Sequence, residues 1–156
     1  MSSFRLSGID PAPFAHLFEL PDARLRANGA VRMVADRDFG FPCRVGLDDA
    51  RTGDELLLLP YEHLPGDSPY RASGPIFVRR GASRRVLAPG EVPPYVARRL
   101  ISVRAYDADD MMLEASVCEG HAVEARVMEY FARHQVRYIH LHNAQRGCFS
   151  CRVDRA

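Results

Sequence analysis

The spacing of apolar residues changes period several times along the chain, and each change marks an element. Phe14, Leu17 and Phe18 recur at helical spacing after Asp10-Pro11, where a capping residue precedes a proline suited to the first helical turn. Pro21 to Asn28 gives a second short helix, closed by Gly29. The period then drops to two. Val31, Met33 and Ala35 predict one strand, and Cys43, Val45 and Leu47 predict another beyond the Asp38-Phe39-Gly40 break. Leu56 to Leu59, stopped by Pro60, reads as a strand buried on both faces, and Ile76-Phe77-Val78 as a further strand. Between them His63 to Pro75, HLPGDSPYRASGP, has the composition of a long loop. Pro89 to Pro94 leads into a short helix at Tyr95 to Arg99, whose arginines are expected in solvent.

Ile101, Val103 and Ala105, then Met111, Leu113, Ala115 and Val117, alternate on either side of an Asp107–Asp110 turn and predict a hairpin. From Gly120 helical spacing returns, with Val123, Val127, Tyr130 and Phe131 on one face and Glu129 four residues before Arg133. Arg137 to Val153, RYIHLHNAQRGCFSCRV, closes the chain as a second hairpin. The expected fold is α+β over residues 1–156 as a single domain: mainly antiparallel sheet, short N-terminal helices, one amphipathic helix late in the chain and a C-terminal β-hairpin.

Composition narrows the function classes. Twenty-one basic residues stand against twenty acidic ones, for a net charge of +1, which gives no chain-wide footprint for nucleic acid. Every basic residue is arginine, so Schiff-base and lysine-nucleophile chemistry is excluded apart from the terminal amine. No apolar run approaches the ~20 residues that span a bilayer, and MSSFRLSGIDP lacks the pattern of an export signal. A cytoplasmic protein without a membrane partner is expected, and in that setting four cysteines read as free thiols or as metal or catalytic groups. Neither GxGxxG nor GxxxxGK[ST] occurs, and Asp107, Asp109 and Asp110 lack the rest of a calcium loop, so the cofactor stays unknown.

Four segments, GFPCRVGLDDA, YEHLPGDSPYRASGPIFVR, RAYDADDMM and HNAQRGCF, resemble a bacterial family catalogued as domain of unknown function 1203. The resemblance runs from Gly40 onward. It implies a bacterial, single-domain protein and brings no activity, cofactor or site residue.

Chemistry concentrates in the C-terminal hairpin. A loop at Asn143 to Gly147 sets His142 opposite Cys148, His140 opposite Ser150 and Tyr138 opposite Arg152 on one face, with Ile139, Leu141, Phe149, Cys151 and Val153 on the other. Cys148 and Cys151 then point apart, against a zinc or redox reading of the CxxC. Cys148 becomes a candidate nucleophile with His142 and His140 as catalytic partners, while Asn143, Glu62 or an aspartate would orient the imidazole. An alternative has His140 and His142 ligating a metal with His63 or Cys148 as third ligand.

Arg44 and Arg104, expected on strand faces opposite core residues, join Arg71 of the long loop and Arg146 of the hairpin turn as a set of guanidinium forks for a carboxylate or phosphate. Tyr70 and Arg71 would wall that pocket, and Asn143 would line it. The expectation is a small-molecule enzyme with a Cys/His-centred pocket for a small anionic substrate. The alternatives are a non-catalytic module binding a small anion, a His-ligated metal protein and a protein-interaction domain.

Overall fold

The computed structural model describes residues 3–156. In chain order it forms β1 (Phe4–Ser7), α1 (Ala12–Ala15) running into a 3-10 turn His16–Glu19, α2 (Asp22–Ala27), β2 (Val31–Val34), β3 (Pro42–Cys43) and β4 (Asp48–Asp49). There follow β5 (Glu55–Leu64), β6 (Ala72–Arg79), α3 (Pro94–Ala97), β7 (Leu100–Tyr106), β8 (Met112–Glu119), α4 (Val123–Phe131), β9 (Tyr138–Asn143) and β10 (Phe149–Arg155). These build two five-stranded sheets, ordered β1-β10-β9-β7-β8 and β2-β5-β6-β3-β4, so the fold is α+β with the expected C-terminal hairpin. Pairing is antiparallel except between β3 and β6. Among the described residues no helix is long and apolar enough to cross a membrane.

Each sheet is covered by its own helices. Val123, Val127, Tyr130 and Phe131 of α4 and Tyr95 and Val96 of α3 bury against Val103, Ile139 and Leu141 of the first sheet. Phe14, Phe18 and Leu25 from the N-terminal helices bury against Leu57, Leu59, Ile76 and Val78 of the second. The apolar stripes read from the sequence are the ones that do this packing. On the other side, the histidine face of β9 meets the end of β5, where the rings of His63 and His142 lie 4.9 Å apart.

Several expected elements differ. Phe4 to Ser7 is a strand that the sequence pattern missed, with Leu6 paired to Val153 at the edge of the first sheet. The strand expected over Cys43 to Leu47 ends at Cys43, after which the chain turns, with Leu47 at φ 52°. That turn is seated by Gly8, where a Cβ would lie 2.0 Å from the Val45 carbonyl oxygen, and by Ile9 N–H donating to the Arg44 carbonyl at 3.0 Å. Arg44 therefore sits in a turn and not on a strand face. Much of the expected loop from His63 to Pro75 is strand, because Tyr61 pairs with Gly74 and Leu64 with Ala72 around a bulge. In α4, Glu129 pairs with Arg126 at 3.3 Å, while Arg133 reaches Glu114 on β8 at 3.7 Å.

The register of the last hairpin is the consequential difference. Ile139, Leu141, Cys151 and Val153 keep the expected core face, but Phe149 pairs with His142 and Cys151 with Leu141, so Ser150 is an extra residue on β10. The bulge has a physical cause. The Phe149 carbonyl accepts Arg44 Nε–H at 2.7 Å and the Ser150 carbonyl accepts the Tyr95 hydroxyl at 3.0 Å, which diverts both from the ladder. Phe149 thereby joins the histidine face.

Candidate functional site

His140 and His142 project from the same face of β9, as expected, and both are buried. His63 from β5 meets them. Its ring stacks on Phe149 at 5.3 Å with the planes 10° apart, and Phe149 stands edge-on to His140 at 5.1 Å and to His142 at 5.8 Å. Four rings thus close the seam between the sheets. Burial dominates their electrostatics, because charging an imidazole there forfeits its hydration. The pKa of His140 falls to about 2, by burial first and then by His142 and His63; that of His142 falls to about 4, by burial with Arg104 nearby. His63 is lowered too, by burial and Arg104. All three are neutral at pH 7.

The His142 tautomer follows from its partner. Nδ1 lies 3.0 Å from the Gly147 carbonyl oxygen, which can only accept, so Nδ1 carries the hydrogen and Nε2 keeps a lone pair. That Nε2 is buried without a partner among the described residues, as are Nδ1 of His63 and Nδ1 of His140. His142 therefore makes no hydrogen bond to Cys148, and the expected Cys148–His142 pair is not formed. The hairpin register is the reason: Phe149 stands opposite His142, and Cys148 ends the loop opposite Asn143, whose N–H donates to the Cys148 carbonyl at 2.9 Å. Although three imidazoles meet, no group of three His, Cys, Asp or Glu side chains among the described residues is placed to hold a metal ion. The His140/His142 metal reading with His63 or Cys148 finds no donor geometry to rest on.

What faces Cys148 is Arg44. Its Nη2 lies 3.1 Å from Sγ, while Nε and Nη1 donate to the carbonyls of Phe149 at 2.7 Å and Pro42 at 2.6 Å. Arg44 is 1% exposed, and no carboxylate pairs with it among the described residues. Three of its five N–H groups are used, which leaves two.

Arg44 and Cys148 line a cavity of about 850 Å³ at the junction of the sheets. Asn143, Arg146, His63 and Phe149 line it as well, along with Ser73 to Phe77 of β6. Arg37, Arg98 and Arg99 complete a set of five arginines, and among the described residues no aspartate or glutamate lines the cavity. Asn143 Oδ1 is buried there without a partner among the described residues. Arg99 is tied to both carboxylate oxygens of Asp49 and to the carbonyls of Tyr95 and Phe39, so it is not the solvent-facing residue expected. Phe39 stands at the rim, 59% exposed, at φ 65°.

Of the expected anion ligands, the cavity gathers Arg44, Arg146 and Asn143. It does not take in Arg71, which pairs with Glu62 at 3.0 Å on an exposed surface, or Tyr70, which stands 6.3 Å from the Tyr106 ring. The cause is the extension of β6, which puts its own residues on the wall in place of the Tyr70-Arg71 turn. Arg104 pairs with His140 in the β7–β9 register and donates to Ser102 Oγ at 3.1 Å, so it charges the histidine seam without lining the cavity. Sequence reasoning missed Arg37, Phe39, Arg98 and Arg99. For Phe39 the signal lay in an aromatic residue set inside a turn, Asp38-Phe39-Gly40; the arginines carried none, since long-range packing alone brings them in.

A family profile described as Protein of unknown function (DUF1203) matches residues 40–155, and the chain belongs to that family. No curated protein and no solved structure matches it.

Proposed function

We propose that the chain binds a small oxyanion, a carboxylate or a phosphate, in the cavity where the two sheets meet. The carrying observation is Arg44. A guanidinium this buried normally has a counter-charge, and Arg44 lines the cavity with N–H groups to spare and no carboxylate beside it among the described residues. A bound oxyanion supplies that charge through a forked pair of hydrogen bonds. Arg146 adds positive potential at the lining, which draws anions in, whereas Arg37 is paired with Asp36 at 3.4 Å and Arg98 with Asp49 at 3.6 Å. The volume suits a small organic ligand. Four free cysteines, Cys43, Cys118, Cys148 and Cys151, support a reducing, cytoplasmic setting in a bacterial cell.

Titration calorimetry of the full chain with inorganic phosphate and with acetate tests the proposal. At least one is expected to bind, to weaken as salt rises, and to lose about tenfold or more in affinity in Arg44→Met. Arg146→Ala, an exposed change that spares the fold, weakens binding severalfold. No binding of either anion to the native chain overturns the proposal.

A second reading, an enzyme acting on such an anion, is favoured by the 3.1 Å contact between Arg44 Nη2 and Cys148 Sγ. A cation aimed at sulfur stabilises negative charge as it develops there, and His63 is the imidazole that opens on the same cavity. Alkylation of Cys148 no faster than that of Cys118, followed by mass spectrometry, sinks the thiol chemistry and leaves binding alone.

A further inference from the structure

Resting on the oxyanion reading of the cavity, we infer that the ligand's body is a planar aromatic ring and that Phe39 is the side chain that selects it. A positive φ is uncommon outside glycine and a genuine outlier for a bulky residue, yet Phe39 holds φ 65° where glycine would sit without strain. Its neighbours enforce the conformation. Arg99 Nη2 donates to the Phe39 carbonyl at 3.1 Å, and Thr52 donates to Asp38 Oδ1 from N at 2.9 Å and from Oγ1 at 3.0 Å.

The outcome of this bracing is a ring held outward. Phe41, two residues on, is buried in the second sheet's apolar cluster, whereas Phe39 is 59% exposed on the cavity rim. The Arg98 guanidinium covers the ring at 4.0 Å from its centroid, and the ring stands between the cavity and a neighbouring cleft lined by Asp38, Asp48 and Asp49. Leu100, another large apolar residue left exposed, lines the same cavity. The cavity is therefore two-sided, with guanidinium donors for a charged head and a braced apolar rim for a body. A bare inorganic ion leaves that rim wet. A flexible aliphatic chain covers it without stacking, while a flat ring meets both the Phe39 face and the edge of the adjoining cation.

Calorimetry on the full chain with matched anions tests this: phenyl phosphate against butyl phosphate, benzoate against pentanoate, and inorganic phosphate and acetate as head groups alone. The aromatic member of the binding pair is expected to be about tenfold tighter than the aliphatic one, the upper end for an aromatic stacking pair. Phe39→Gly removes the ring while suiting the positive φ, and Phe39→Leu keeps an apolar rim without a flat face. Both are expected to abolish the aromatic preference and to leave the affinity for the bare head group within about twofold. Equal affinity of aromatic and aliphatic anions in the native chain, or a preference that survives Phe39→Gly, overturns the inference while the oxyanion site stands. Failure of every head group and pair to bind removes the oxyanion site itself, and this inference with it.

Discussion

At Cys148 the nearest side-chain partner is a guanidinium and not an imidazole, and this changes which reagents the thiol meets fastest. Arg44 Nη2 stands 3.1 Å from Sγ, and Arg146 lines the same cavity two residues away in sequence. A neutral electrophile gains little from that charge, but an anionic one is concentrated by it. The rate ratio of iodoacetate to iodoacetamide at Cys148 is therefore expected to exceed that of a free thiol by about three- to tenfold at low ionic strength, and to fall toward it in high salt. Arg146→Ala should lower the ratio. Cys151 offers an internal control, because complete burial pushes its thiol up to about 12, as does Cys118, whose thiol burial also raises. Site-resolved mass spectrometry of alkylated protein reads all three. A ratio at Cys148 equal to the free-thiol value would count against the cationic cavity.

The elements show which parts of the fold local sequence carries. Periodicity located β7 and α4 because each is amphipathic over its own length, and Gly29 marked the end of α2. β2 and β8 form where alternation put them, but Val31, Met111 and Val117, read as apolar-face residues, are exposed. Periodicity separated Cys151, which faces the core, from Cys148, which does not. It failed at Phe149, since a strand pattern assumes unbroken alternation and the Ser150 bulge depends on Arg44 and Tyr95, distant in sequence. The same holds for Arg44: alternation put it on a strand, and the turn that holds it is set by β1 crossing at Gly8. The hairpin half of the site was thus legible, and so was Arg44 as a ligand though not its turn, while the part contributed by residues 37–42 and 98–100 was not. Gly8→Ala tests the crossing. A Cβ 2.0 Å from the Val45 carbonyl oxygen meets backbone that cannot swing aside, so the variant should lose about 2–3 kcal/mol in denaturant unfolding. Any folded fraction should bind oxyanion more weakly, because the Arg44 turn is displaced.

For the whole molecule, the seam between the sheets makes stability depend on pH in a definite direction. An imidazole in the unfolded chain takes up a proton near pH 6.5, whereas His142 in the folded chain does so at about 4 and His140 at about 2. Below pH 6.5 the unfolded chain therefore binds more protons, and acidification favours unfolding; well above 6.5 both states are neutral and the seam contributes no slope. The charged groups around the rings act in the same sense. Arg104 of β7 and Arg152 of β10 oppose a second positive charge on His140, and Arg104 and Arg44 oppose one on His142. Each imidazole that stays neutral contributes at most about 1.4 kcal/mol of lost stability per pH unit between 6.5 and its folded value. Urea unfolding midpoints measured from pH 7.5 to 4.5 should accordingly hold steady and then fall, more steeply than carboxylate titration alone would give. His140→Phe keeps a ring in the packed cluster and breaks no hydrogen bond of His140 among the described residues, since its buried Nδ1 has none. It should remove one of the steepening contributions, so that the variant's midpoint falls less between pH 6.5 and 4.5 than that of the native chain. Parallel curves would mean that His140 takes up its proton at the same pH in the folded chain as in the unfolded one, and the neutral three-imidazole seam would have to be abandoned.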